Sequence, residues 1–218
     1  MGAKKNVGEA EFYSDVSMGL YKTYNPVRIL FLDSRWNLTR QLVEKYYVKG
    51  SRIVDVGCGP CTWNTKGMDV FGIDINRGMI DDAVKRRALG KAEAYDFTKG
   101  LRLKDSSADI LISMEVLEHI RDYGFLIREF LRVLRPGGKA LISVPYDVHL
   151  SLWWPLYKMQ CFVQGTLLGN EYYKAEGGHI QHFSMKTISE AFEAEGFRLD
   201  ERINHAFMTI FLVATCVK

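Results

Sequence analysis

The chain alternates between two hydrophobic rhythms. The apolar run at 52–56 reads as a buried strand, and the stretches 69–74, 92–95, 108–113 and 139–144 read as further strands. Between them apolar residues recur at helical spacing. Ile29, Leu32, Trp36, Leu42, Val43 and Tyr46 mark one helix over 26–47. Met79, Ile80, Ala83 and Val84 mark a second, and 123–134 a third. Pro26 suits a first helical turn and Asn76 a helix N-cap. Lys49-Gly50-Ser51 reads as a stop and Arg135-Pro136-Gly137-Gly138 as a turn. Strand and helix in alternation predict an α/β fold with a doubly wound parallel sheet. The rhythm breaks at 146–183. Charges thin out there, and Trp153, Trp154, Tyr157, Phe162, Tyr172 and Tyr173 accumulate, which predicts a helical lid insert. A capped helix from Ser184 through Phe192, closed by Gly196, and two strands near 198–204 and 207–216 complete seven strands.

A length of 218 residues fits one domain with a large core. We divide it into an N-terminal helical cap (1–48), a core (49–145), the lid insert (146–183) and a C-terminal helix with two strands (184–218). The net charge of +3 is small and spread along the chain without a basic block, so no nucleic-acid partner is expected on charge grounds. Four cysteines without a disulfide framework fit the cytoplasm. Cys58 and Cys61 form a lone C-x-x-C and read as small residues packed in a glycine loop. No signal core or membrane-spanning segment is expected.

That loop carries the chemistry. The run Ile53-Val54-Asp55-Val56 passes directly into Gly57-Cys58-Gly59, a tight turn where backbone can meet a ligand. The dinucleotide fingerprint needs a third Gly or Ala three residues after Gly59, and Thr62 stands there, so the pyrophosphate of NAD is not expected. In such sheets ligands lie over the carboxyl ends of the strands. Those ends carry Asp55, Asp74, Asp96-Phe97, Ser113-Met114-Glu115 and Pro145-Tyr146. Asp74 can accept two ribose hydroxyls, Asp96 an adenine amino hydrogen, and the loop amides a carboxylate. Asp55 can orient the loop or hold an ammonium group through water. This set suits a cationic nucleoside amino acid.

At these residues the chain resembles the class I S-adenosylmethionine-dependent methyltransferases, in the small-molecule (methyltransferase type 11/12-like) branch. The matching stretches are Val54–Gly59, Gly72-Ile73-Asp74-Ile75, Tyr95-Asp96-Phe97, 109–120 with Ser-Met-Glu-Val-Leu-Glu-His-Ile at its core, and Leu134-Arg135-Pro136-Gly137-Gly138, in the family's order. The resemblance implies a Rossmann-like, mostly parallel seven-stranded sheet ending in an antiparallel hairpin. It also implies S-adenosyl-L-methionine as cofactor and S-adenosyl-L-homocysteine as product. The implied cofactor residues are Asp55, Gly57, Cys58, Gly59, Asp74, Ile75, Met79, Asp96, Phe97, Met114 and Glu115. Two features depart from the family. Cys61 replaces its usual last glycine. The span from Gly59 to Asp74 is short by about one helical turn, leaving 62–66 for a short helix. Residues 13–28 are therefore expected to cover the methionine end of the cofactor.

The implied reaction is in-line displacement at a sulfonium methyl group, which needs alignment and exclusion of water. A base is required only where the acceptor must lose a proton. His182, His179 and His149 are the candidates, with Tyr146 behind them. The expected acceptor is a small hydrophobic or aromatic molecule, and the alternative is a non-catalytic S-adenosylmethionine-binding regulatory or partner module. Glu115, Glu118 and His119 share one helical face at spacings of three and four, and His179-x-x-His182 could complete a divalent-ion site. A similar Glu-x-x-Glu-His holds a metal in small-RNA ribose methyltransferases, whereas metal-free relatives line their cavity with it. No metal is assigned. The stretch 148–169, with Lys158 as its one formal charge, reads first as a lid over the acceptor and second as a peripheral membrane contact.

Overall fold

The computed structural model describes residues 26–148, 151, 153–169, 171–174 and 179–218. Helix α1 (Pro26–Tyr46) leads into β1 (Ile53–Val56) and β2 (Val70–Asp74). Then follow α2 (Arg77–Lys85), β3 (Lys91–Ala94), β4 (Ala108–Met114), α3 (Tyr123–Val133) and β5 (Leu134–Pro145). The insert holds α4 (Trp153–Gln160), a π-helical stretch Cys161–Leu167 and the short α5 (Glu171–Lys174). Helix α6 (Met185–Ala194), β6 (Phe197–His205) and β7 (Thr209–Cys216) close the fold.

The sheet order is β3-β2-β1-β4-β5-β7-β6. Strands β1 to β5 run parallel, and β7 lies antiparallel between β5 and β6. The chain winds outward from β1 to β3 and then restarts at β4 on the other side of β1. That reversal opens a crevice at the carboxyl ends of β1 and β4, where ligands bind in open α/β sheets.

Alternation along each strand sends side chains to two separate cores. In β7, Ile210, Leu212 and Ala214 meet α3 (Leu126, Ile127, Phe130) and α6 (Ile188, Phe192) on one face. Phe211 and Val213 join α1 (Leu42, Val43) and α2 (Ile80, Ala83) on the other. Both faces being covered explains why the central strands β1, β4 and β5 are largely apolar. The expected caps are in place. Asn76 accepts the Met79 N–H at 3.1 Å, and Ser184 forms a reciprocal box with Thr187.

Two local expectations are corrected. No helix follows Cys61. Residues 61–66 form consecutive tight turns, with Cys61 at φ 47°, because Asn64 is pulled across to the carbonyls of Met68 and Ala88, both at 2.9 Å. The stretch Arg135–Gly138 is not a separate turn, since β5 already starts at Leu134, paired with Ala108. A register shift between Ala108 and Ile110 absorbs the irregularity, and Arg135 is held there by Asp109 at 2.9 Å.

Candidate active site

The glycine loop is built by its own hydrogen bonds. Gly57 adopts φ 72°, and a Cβ there would stand 2.3 Å from a Val116 methyl carbon, so any larger residue collides with a stiff side chain. The amides of Gly57 and Cys58 donate to the Ile73 carbonyl at 2.7 and 3.0 Å, and that of Cys61 to the Cys58 carbonyl at 2.8 Å. Gly59 donates to Asp74 Oδ2 at 2.7 Å. These loop amides, expected to meet a carboxylate, are engaged within the protein. Both cysteine side chains are buried in the core shared with α1 and α2.

Asp55 lies beneath this loop and orients it. Its Oδ2 accepts Trp63 Nε1–H at 2.8 Å and faces the Cys61 thiol at 3.6 Å. Complete burial pushes its carboxyl up to about 7, although the Trp63 and Cys61 bonds pull the other way. Asp74 ends β2, with Oδ1 taking the Asn76 N–H at 2.8 Å. Burial raises it too, against the bonds from Asn76 and Gly59. Ile75 follows it on the rim of the crevice, and Met79 is buried on the inner side of α2. Asp96 caps the turn that follows β3, accepting the Thr98 amide and hydroxyl at 3.1 and 2.6 Å, while Phe97 is buried in the main core. A cavity of about 490 Å³ opens beside Asp96, lined by Lys99, Leu101, Arg102, Phe125 and Glu129 among others.

Met114 ends β4, packed against the core of the α1 face. Glu115 follows at φ 56°. Its carboxylate takes Arg35 of α1 at 2.9 Å and the Ser143 hydroxyl of β5 at 2.7 Å. The charge of Glu115 is therefore spent on tying α1 to the ends of β4 and β5. Nothing in the sequence pattern pointed to Arg35 as its partner.

The third corner contains the histidines. Segment 179–183 crosses the strand ends because the amides of Ile180 and Gln181 both donate to the Glu118 carbonyl, at 2.9 and 3.0 Å, and Phe183 bridges to Tyr146. This brings His179 and His182 together over the end of β5. One residue missed from the sequence joins them there. Asp147 Oδ2 bonds His182 Nδ1 at 2.8 Å and lies 3.6 Å from His179 Nδ1. Burial alone would raise the Asp147 carboxyl, but the two histidines outweigh it and hold it below its ordinary value. The signal was present, since Asp147 directly follows the strand-end pair Pro145-Tyr146, where an acid had already been meaningful on other strands. The Tyr157 ring of α4 stacks on His179 with centroids 5.3 Å apart. His149, the third candidate base, and residues 13–25 of the expected cofactor cover lie outside the described residues.

Beneath the histidines, Glu118 is fully buried and its Oε2 has no hydrogen-bond partner. Burial, reinforced by the Glu115 charge, raises its carboxyl well above the ordinary range. Glu118, His119 and His179 each offer a donor atom, and these atoms lie within 4.8 Å of one another. The wider constellation expected from sequence is thereby divided. Glu115 serves Arg35 and His182 serves Asp147.

A doubly wound sheet with an antiparallel β7, a glycine loop after β1 and acids at successive strand ends defines a nucleoside-binding transferase fold. The sequence matches the profile of the methyltransferase domain over residues 31–202, and the chain belongs to that family. It is 37% identical over 117 residues to phosphoethanolamine N-methyltransferase 1 of Arabidopsis thaliana, covering 48% of this chain and 23% of that protein. It is 28% identical over 130 residues to the ubiquinone biosynthesis O-methyltransferase of Sinorhizobium medicae, covering 55% and 52%. The chain thus spans about half or less of these relatives. Among solved structures, Haemonchus contortus phosphoethanolamine N-methyltransferase 2 with S-adenosyl-L-methionine superposes with a TM-score of 0.69 at 16% identity, covering 99% of this chain and 62% of that one. The Haloferax volcanii putative methyltransferase bound to the Trm112 activator gives 0.68 at 18% identity, covering 96% and 98%. At these identities the structural likeness speaks for the fold.

Proposed function

We propose that the protein moves the S-adenosylmethionine methyl group in line to a small, hydrophobic or aromatic acceptor held between the strand ends and the insert, with His182 as base. In this reading the crevice residues Asp55, Gly57, Cys58, Gly59, Asp74, Ile75, Met79, Asp96, Phe97, Met114 and Glu115 surround the cofactor. Asp74 meets the ribose and Asp96 the adenine edge. The acceptor lone pair bonds the methyl carbon as the carbon–sulfur bond breaks, and the sulfonium leaves as a neutral thioether. Where the acceptor is a hydroxyl or an ammonium-derived amine, its proton goes to His182 Nε2. The observation that carries this reading is the Asp147 carboxylate on His182 Nδ1. It fixes the ring's tautomer and stabilises the imidazolium that forms. His179, packed between Asp147 and the Tyr157 ring, shapes the acceptor pocket. The relatives named for phosphoethanolamine and for ubiquinone biosynthesis agree with a small-molecule acceptor.

The test is methyl transfer from labelled S-adenosylmethionine to a panel of phenols, catechols and amines, read by product mass. Turnover of at least one panel member is expected. Tight cofactor binding with no methylated product across the panel would instead favour a regulatory module.

A second reading is favoured by the partnerless Glu118 Oε2. Glu118, His119 and His179 suit a divalent cation, which would offset the burial of a Glu118 carboxylate and contribute Lewis acidity toward an acceptor oxygen. On this reading, elemental analysis of the purified protein gives about one zinc, manganese or magnesium equivalent, which is lost in Glu118→Gln. A metal-free preparation with full turnover after chelation rejects it.

A further inference from the structure

Backbone strain sits where the crevice is assembled. Glu115, directly after β4, has φ 56°, in the left-handed region that a residue with a Cβ enters at a steric cost. Such a conformation persists only where its surroundings hold it. Three contacts hold Glu115. Its amide donates to the Ser143 carbonyl at 3.0 Å, and its carboxylate accepts the Ser143 hydroxyl at 2.7 Å and the Arg35 guanidinium at 2.9 Å. Two of these come from the adjoining strand β5. The third comes from α1, outside the sheet.

Arg35 is held in place for this contact. Its guanidinium lies over the Phe31 ring, 5.9 Å from the centroid. Helix α1 is tied down on both sides of it. Ser34 shares a hydrogen bond of 2.9 Å with His205 Nε2, and Arg40 donates to the Thr65 hydroxyl at 3.1 Å. The Arg35 and Glu115 side chains are only 16% and 17% exposed, so solvent and salt screen the pair weakly.

The residue after Glu115 extends the reach of this pair. The sign of φ at Glu115 sets the direction in which Val116 leaves the strand. Val116 is buried, and a Cβ on Gly57 would stand 2.3 Å from its Cγ2. Its side chain is β-branched and does not swing aside cheaply. Gly57 and Cys58 in turn donate to the Ile73 carbonyl, and Gly59 donates to Asp74 Oδ2. One contiguous path of contacts therefore runs from Arg35 through Glu115 and Val116 to the glycine loop and Asp74.

We infer that Arg35 is a positioning residue for the cofactor: its ion pair keeps Glu115 left-handed, which seats Val116 against Gly57 and holds the glycine loop and Asp74 in their binding arrangement. Arg35 acts through Glu115 and does not touch the cofactor. This role rests on the proposed placement of S-adenosylmethionine against the crevice residues and needs no particular acceptor.

The test is calorimetric titration of the full chain with S-adenosyl-L-homocysteine and with 5′-methylthioadenosine, which lacks the amino-acid portion. Arg35→Met is expected to weaken both by about tenfold, the size of a coupling between contacting residues. Arg35→Lys, which keeps the charge, should recover most of that loss. Glu115→Ala removes the carboxylate, so adding Arg35→Met to it should cost less than about twofold more. Far-UV circular dichroism and urea unfolding verify that each variant is folded. A less stable Arg35→Met with unchanged affinity overturns the inference, because Arg35 is then structural only. Additive losses in the double variant also overturn it. So does a loss for S-adenosyl-L-homocysteine with none for 5′-methylthioadenosine, since Arg35 then meets the carboxylate directly. Asp74→Asn tests the crevice assignment by itself. If it binds as tightly as the wild type, the assignment fails. If it weakens binding while Arg35→Met does not, the positioning role alone is refuted.

Discussion

Replacing His182 by alanine is expected to lower kcat for a proton-losing acceptor by about 10²–10⁴-fold, the usual contribution of a positioned general base. Cofactor affinity should stay within about twofold, because the residues proposed to surround the nucleoside lie on other strand ends. The His182 ring is half exposed and held by Asp147 through Nδ1, so its removal opens no core cavity. Asp147→Asn separates positioning from packing. An amide keeps the size of the side chain but cannot stabilise positive charge on the ring. The acidic limb of the pH–rate profile should therefore move to lower pH, with a smaller kcat. Asp147→Glu should restore part of the loss. Unchanged turnover in His182→Ala, with an acceptor that must lose a proton, removes His182 from the mechanism. A pH profile identical in Asp147→Asn and the wild type reduces Asp147 to a structural role.

The second large effect concerns stability. Asp55 is buried under the glycine loop and pushed up to about 7 by that burial. In the unfolded chain its carboxyl has an ordinary value of ~3.9. Between these two values the folded protein binds more protons than the unfolded chain. The contribution of Asp55 to stability therefore falls as pH rises through this window and levels off above about 7. The gap corresponds to a cost of up to about 4 kcal/mol at alkaline pH. Asparagine imitates the protonated acid and can still accept the Trp63 N–H. Asp55→Asn in the cofactor-free protein should therefore gain on the wild type as pH rises, by about 2.5 kcal/mol between pH 5 and pH 8, as urea unfolding would report. A variant less stable than the wild type at pH 8 would mean that the ionised carboxylate is net stabilising through Trp63 and Cys61.

Much of this architecture was legible along the chain, because it depends on short-range rules. The largely apolar strands, the Asn76 and Ser184 caps and the glycine loop each need only a few neighbouring residues, and all appear in the fold. The local misses have local causes. A five-residue span after Cys61 could not be told from a helix until Asn64 was seen reaching across to Ala88. The start of β5 depended on pairing with β4, which no nearby residue announces.

The sequence by itself determined the winding of the sheet, the crevice at its strand ends, the family and its cofactor. Tertiary structure alone decided how the charged and titratable groups pair. Asp147 meets a histidine 35 residues away, and Arg35 of α1 claims Glu115 of the strand end. It also decided which side of the aromatic insert faces the site and which faces outward. Periodicity and turn chemistry act over one or two turns of chain and are written locally. Which carboxylate receives which cation is set by sheet register and helix docking, and these bring together residues that no local pattern connects.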